Sequence, residues 1–165
     1  RRGDLSAPGA ISRNGGEKVI RELIHVNINV TDIFRSLAFY EALGFTVMHV
    51  FGQRRGEASW TPMEMRGRRC RGAVLSLGDH PRAATKIELL EWMHPKARPA
   101  PARDETQAGV ARVALRTRNL VAFTEKLRAA GIEFESEPIE IDVVGASRFV
   151  LFRDPDGTLL ELIEF

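Results

Sequence analysis

From Glu22 to Val30 apolar and polar residues alternate, with Ile24, Val26, Ile28 and Val30 on one side and His25, Asn27 and Asn29 on the other. A period of two predicts a strand with one buried and one polar face. Thr31-Asp32 then offers a helix N-cap, and Ile33, Leu37 and Tyr40 keep helical spacing up to Gly44, a typical stop. Further strands are expected over Phe45 to Phe51, Gly72 to Leu77 and Thr85 to Met93, with a loop and hairpin edge in the arginine-rich stretch between the first two. His94 to Gln107, with three prolines and few apolar residues, reads as a linker.

The pattern then repeats. A strand over Ala111–Thr117, a helix over Leu120–Ala130 and strands over Ile132–Glu135, Ser147–Arg153 and Thr158–Glu164 follow in the same order. Pro138 to Gly145 is expected as a short edge strand and loop. Asp154-Pro-Asp-Gly157 is a turn signal, in which Pro fixes φ, Asp caps and Gly takes positive φ. Each half is thus a β-α-β-β-β unit, and the fold class is α+β: two tandem modules whose curved mixed sheets surround a central cleft. The expected organisation is a flexible leader over 1–18 and one domain over 19–165. Module 1 covers about 20–93, the linker about 94–108 and module 2 about 109–165.

The repeat carries chemistry with it. Lys86-Ile-Glu88-Leu-Leu-Glu91 returns as Leu159-Leu-Glu161-Leu-Ile-Glu164, and His25 returns as Arg112. His25, Glu88, Arg112 and Glu161 therefore fall at matching places in the first and last strands of the two units. Glu88 and Glu161 sit among apolar neighbours and need a partner wherever they are buried. Glu91 and Glu164, three residues further on, fall on the opposite face and are expected in solvent. Asn27 and Asn29 either line the cleft or meet solvent, and Trp60 and Trp92 either wall an apolar ligand pocket or complete the core. Tyr40 is expected to pack its helix.

At 165 residues the chain is long enough for a core without staples, and a net charge of +2 does not argue for nucleic acid. No apolar run approaches the roughly 20 residues that span a bilayer. No membrane partner and no nucleic acid are expected. The single Cys70 excludes an internal disulfide and fits a cytoplasmic location; its arginine neighbours would favour a thiolate, but one cysteine without a nearby histidine reads rather as incidental. Arg54, Arg55, Arg66, Arg68, Arg69 and Arg71 form either a solvated loop or a positive lip for an anionic small molecule.

Leu23-Ile-His25, Phe39-Tyr40 with Leu43-Gly44-Phe45, Ile87-Glu88 and the run from Phe152 to Glu164, in order and duplicated, resemble the vicinal oxygen chelate superfamily. That group includes glyoxalase I, methylmalonyl-CoA epimerase, extradiol dioxygenases, fosfomycin-resistance enzymes and bleomycin-binding proteins. The resemblance covers Glu22 to Phe165. It implies a cleft for a small molecule, homodimerisation, and in metal-dependent members a divalent ion held at the positions of His25, Glu88, Arg112 and Glu161. The family stretch Gly-His-Ile-Ala-Leu reads Ala-Arg112-Val-Ala-Leu here.

Arginine stays protonated and offers only donors, so it cannot ligate a cation, yet it pairs well with carboxylates. The expected outcome is an enzyme of lyase or isomerase type without a cofactor, with Arg112 in the place of the metal and held by Glu88, Glu161 or both. It would act by removing a proton next to a carbonyl. Two alternatives stand beside it: a divalent-metal enzyme (Zn, Ni, Mn, Co or Fe) ligated by His25, Glu88 and Glu161, and a binding protein that sequesters an antibiotic or metabolite unchanged.

Overall fold

The computed structural model describes residues 22–52, 63–65, 67–78, 85–99, 106, 108–143 and 145–165. The leader, Trp60, Arg54, Arg55, Arg66 and part of the linker lie outside the described residues. Module 1 runs β1 (Val26–Val30), α1 (Ile33–Ala42), β2 (Thr46–Phe51), β3 (Met63–Met65), β4 (Arg68–Leu77) and β5 (Thr85–His94). Module 2 runs β6 (Val113–Thr117), α2 (Leu120–Ala129), β7 (Ile139–Val143), β8 (Ala146–Arg153) and β9 (Leu159–Glu164). The sheets have matching orders, β1-β5-β4-β2 with β3 added on β4, and β6-β9-β8-β7. In each, the first and last strands run parallel and the other pairs antiparallel, so both sheets are mixed and open. The α+β fold of two tandem modules read from the repeat is the fold found.

Two expected strands differ. The segment Ile132–Glu135 makes only an isolated bridge, Phe134 to Phe152, and the edge strand of module 2 is β7 instead. Alternation alone could not rank two short apolar runs competing for one sheet edge. The strand expected from Gly72 begins earlier, at Arg68, so part of the arginine-rich stretch belongs to the ladder. Arg71 points toward the helix side there and bonds Glu91, which removes it from any positive lip.

Both helices begin as the sequence specifies. The Asp32 side chain accepts from the N–H groups of Phe34 and Arg35, and Asn119 accepts from Ala122. The continuous core lies between each sheet and its helix. Ile28, Val30, Ala73, Leu75, Ile87 and Leu89 meet Ile33, Tyr40 and Leu43 in module 1, while Leu115, Val150, Phe152, Leu160 and Leu162 meet Leu120 and Leu127 in module 2.

The modules are joined through α1 and the turn between β8 and β9. The Tyr40 hydroxyl donates to Asp154, and Asp156 accepts from the Thr31 N–H, the Thr31 hydroxyl and Arg35. Phe39 packs near Phe152, with ring centroids 6.2 Å apart. Tyr40 is therefore both packing, as expected, and a hydrogen-bond donor across the module boundary.

Candidate functional site

The face of the module 1 sheet that turns away from α1 carries the polar residues of β1. In the β1/β5 ladder Asn27 lies opposite Glu88, and in the β6/β9 ladder Ala114 lies opposite Glu161. His25 precedes Asn27 by two residues as Arg112 precedes Ala114 by two. Successive side chains alternate along a strand, so His25 and Arg112 face the same way as their neighbours' carboxylates.

The contacts follow that register. His25 Nε2 lies 3.1 Å from Glu88 Oε2, and Asn27 Nδ2 donates to the same oxygen at 2.9 Å. Arg112 Nε bonds Glu161 Oε2. The Glu161 side chain is only 7% exposed, so its charge is offset by the guanidinium, whereas Arg112 itself is 43% exposed and reaches solvent. Glu88 receives both of its donors on Oε2, which leaves Oε1 without a hydrogen bond among the described residues. Asn29 accepts from Trp92 Nε1 at 2.8 Å, which fixes both side chains on the Glu88 face.

The four matched residues thus form two pairs, His25 with Glu88 and Arg112 with Glu161. Among the described residues no three His, Cys, Asp or Glu side chains are grouped to hold a metal ion. The donor set within this chain does not fit a divalent ion: the position matching His25 in module 2 is a permanent cation already bonded to one of the needed carboxylates.

Glu91 and Glu164 are not in solvent. They turn to the helix face, as their odd spacing from Glu88 and Glu161 requires, but there they meet helix N-termini. Glu91 Oε2 accepts the N–H of Ile33 at 2.9 Å and Glu164 Oε2 that of Leu120 at 2.6 Å. Arg71, opposite Glu91 in the ladder, bonds it at 2.8 Å, and Arg148 stands opposite Glu164 at 3.8 Å. An unpaired first-turn N–H attracts a carboxylate, and this attraction overrides the tendency of a charged residue to seek water.

Of the two readings of Cys70, the thiolate is the one that the structure contradicts. Cys70 is fully buried on β4, and burial, followed by the negative charge of Glu88, pushes its thiol up rather than down. Arg71, its immediate neighbour, alternates to the other face and bonds Glu91 there, so adjacency in sequence did not mean adjacency in space.

Sequence reasoning did not single out His49, Phe51 or Gly72. Register brings His49 opposite Val74, which lies opposite Glu88, and Phe51 opposite Gly72, which lies opposite Leu90. A bulge between Val47 and His49 sets that facing, and such a bulge leaves no mark in the hydrophobic pattern.

Residues 22–162 match the family model described as the glyoxalase/bleomycin resistance protein/dioxygenase superfamily. YaeR of Escherichia coli (strain K12) is 30% identical over 146 residues, which span 88% of this chain and 97% of YaeR. Among solved structures, a glyoxalase family protein from Bacillus cereus matches with a TM-score of 0.68 at 19% identity, covering 94% of this chain and 98% of that one. The fosfomycin resistance protein FosX of Listeria monocytogenes, solved with Mn(II) and sulfate, matches with a TM-score of 0.56 at 17% identity over 88% of this chain and 93% of its own. The chain therefore belongs to the glyoxalase/bleomycin resistance protein/dioxygenase superfamily.

Proposed function

We propose that this protein is a glyoxalase-like small-molecule enzyme of lyase or isomerase type that removes a proton next to a carbonyl and does so without a metal. The observation that carries the reading is the Arg112–Glu161 pair at the position in module 2 that His25 and Glu88 occupy in module 1. A divalent ion polarises a carbonyl oxygen, and a guanidinium supplies positive charge and N–H donors for the same purpose.

In this reading the substrate C–H bond breaks and its proton passes to Glu88 Oε1, which has no donor among the described residues. The electron pair moves to the carbonyl oxygen, and Arg112 balances the negative charge that develops there. His25 and Asn27 hold the Glu88 carboxylate in one orientation through Oε2. Return of the proton to the other face gives epimerisation, and loss of a group one carbon further on gives elimination.

The two pairs must meet over one substrate. Among the described residues the outer edges of β1 and β6 pair with no other strand, and a homodimer joined along these edges would set Glu88 of one copy across from Arg112 of the other. Domain limits of 19–165, a cytoplasmic location and an anionic small-molecule substrate belong to the same proposal. FosX, with its Mn(II), supports the contrary outcome in which a metal does bind.

Deuterium uptake from D2O into 2-oxobutanoate and 4-phenyl-2-oxobutanoate, followed by NMR on chelator-treated protein, tests the reading. Exchange should persist after chelation and fall at least about 100-fold in Glu88→Gln. Exchange that appears only with added Mn(II) or Zn(II) would move the chemistry to a metal. Probes that bind and are recovered without label would leave a binding protein.

A further inference from the structure

The face that carries Glu88 changes from polar to apolar within one step along its strands. The first row across the sheet reads Asn27, Glu88, Val74 and His49, and the next reads Asn29, Leu90, Gly72 and Phe51. Leu90 and Cys70 are buried on this face, 4% and 0% exposed, yet neither belongs to the continuous core under the helices. They form a separate apolar floor.

Gly72 shapes that floor. A Cβ built on it would stand 2.5 and 2.7 Å from Phe51 ring atoms and 2.3 Å from the Leu89 carbonyl oxygen. The Phe51 ring therefore lies directly on the sheet where any other residue would lift it away. Trp92, held by Asn29, bounds the floor on the β5 side. Two residues along a strand span roughly 6.6 Å, so the apolar row begins about that far from the Glu88 row.

We infer that the half-buried Phe51 and Trp92, seated over the buried Gly72 and Leu90, form a subsite for an aryl or branched alkyl group two or three bonds beyond the substrate's acidic carbon. The substrate class is then an amphipathic carbonyl compound with its polar head at Glu88 and its apolar tail over Phe51. The subsite rests on the reading of Glu88 as facing the substrate, but its recognition of the tail is independent of whether a proton is removed.

Calorimetric titration of the full chain with 4-phenyl-2-oxobutanoate and with 2-oxobutanoate tests it, because the two share a head and differ in the ring. The phenyl compound should bind at least tenfold more tightly, and Phe51→Ala should remove most of that difference while leaving 2-oxobutanoate binding unchanged. In a Trp60→Phe variant Trp92 is the sole tryptophan, and its emission should shift with the phenyl compound alone. This readout keeps the test valid where Phe51→Ala folds poorly. Equal affinity for the two compounds, including no measurable binding of either, would overturn the subsite. A tenfold preference without deuterium uptake would uphold the subsite and sink the enzyme reading, and equal uptake into both compounds at equal affinity would do the reverse.

Discussion

Glu91 Oε2 accepts the backbone N–H of Ile33, the first residue of α1, at 2.9 Å, although the two are 58 positions apart. Glu164 repeats this with Leu120 in module 2. The last strand of each module thus offers one glutamate to the helix-free face and, three residues later, a second to the helix N-terminus. Glu91 also holds Arg71 and is 8% exposed, whereas Glu164 is 19% exposed and its arginine is 3.8 Å away. Glu91→Gln should cost about 2 kcal/mol and Glu164→Gln about 1 kcal/mol, since a charge-assisted bond is the stronger one and is worth most where water is excluded. Urea unfolding should show lower midpoints with unchanged slopes. Equal losses in the two variants would mean that Arg71 adds nothing.

The burial of Asp154 beside Tyr40 makes stability depend on pH in a particular direction. Burial raises the Asp154 carboxyl above its ordinary 3.8, against the pull of the Thr158, Tyr40 and Asp156 donors. A raised carboxyl binds its proton more tightly in the folded state. Its contribution to stability is therefore complete below the unfolded value and declines as pH rises through the folded one. The melting temperature of the wild type minus that of Asp154→Asn should fall as pH rises above the ordinary 3.8 and level off once the folded-state carboxyl is ionised. A difference that grows with pH would show that the donors outweigh burial. Tyr40 is also pushed up by burial and by Asp154, so its contribution is lost only as pH rises beyond the ordinary 10.0. Tyr40→Phe should cost about 1–2 kcal/mol at neutral pH, because one Asp154 oxygen loses its donor.

Two glycines should respond differently to the same methyl group. Gly131 follows α2 with φ +84 and open space around it, so Gly131→Ala meets only backbone strain of about 1 kcal/mol. At Gly72 the added carbon meets the Leu89 carbonyl at 2.3 Å as well as the Phe51 ring, and backbone cannot step aside as a side chain would. Gly72→Ala should cost about 3 kcal/mol. The double variant Gly72→Ala/Phe51→Ala should recover only a minor part, since the carbonyl remains. Recovery to wild-type stability would mean that the ring alone forbids a side chain there.

The repeat was legible because the same physics acts twice: alternation set the strands, Asp32 and Asn119 set the helix starts, and spacing put His25 with Glu88 and Arg112 with Glu161. What was hidden depended on distant partners. Nothing near Glu91 or Glu164 in sequence announces a helix N-terminus more than 40 residues away, so solvent was the expected surrounding. The pleat turns Arg71 away from Cys70, and the facing of His49 and Phe51 hangs on a bulge. Ile132–Glu135 had the composition of a strand but lost the sheet edge to β7.

Arg112→His offers the sharpest test of what the guanidinium does. The exchange frees Glu161 from its ion pair and replaces a permanent cation by a neutral nitrogen donor. With His25 and Glu88 from one module and the new histidine and Glu161 from the other, two nitrogens and two carboxylates become available, a set suited to a divalent transition metal. Mn(II) or Zn(II) titrated calorimetrically into chelator-treated protein should bind the variant at least about 100-fold more tightly than the wild type, a gap of about 2.7 kcal/mol. Binding should also fall as pH drops through the imidazole range, because the ligand nitrogen must be unprotonated. The control Arg112→Gln frees Glu161 without adding a nitrogen ligand and should gain much less. If the wild type binds metal as tightly as Arg112→His, the arginine does not occupy the metal's place. If neither variant gains affinity, the two pairs do not face one another even in the assembled protein.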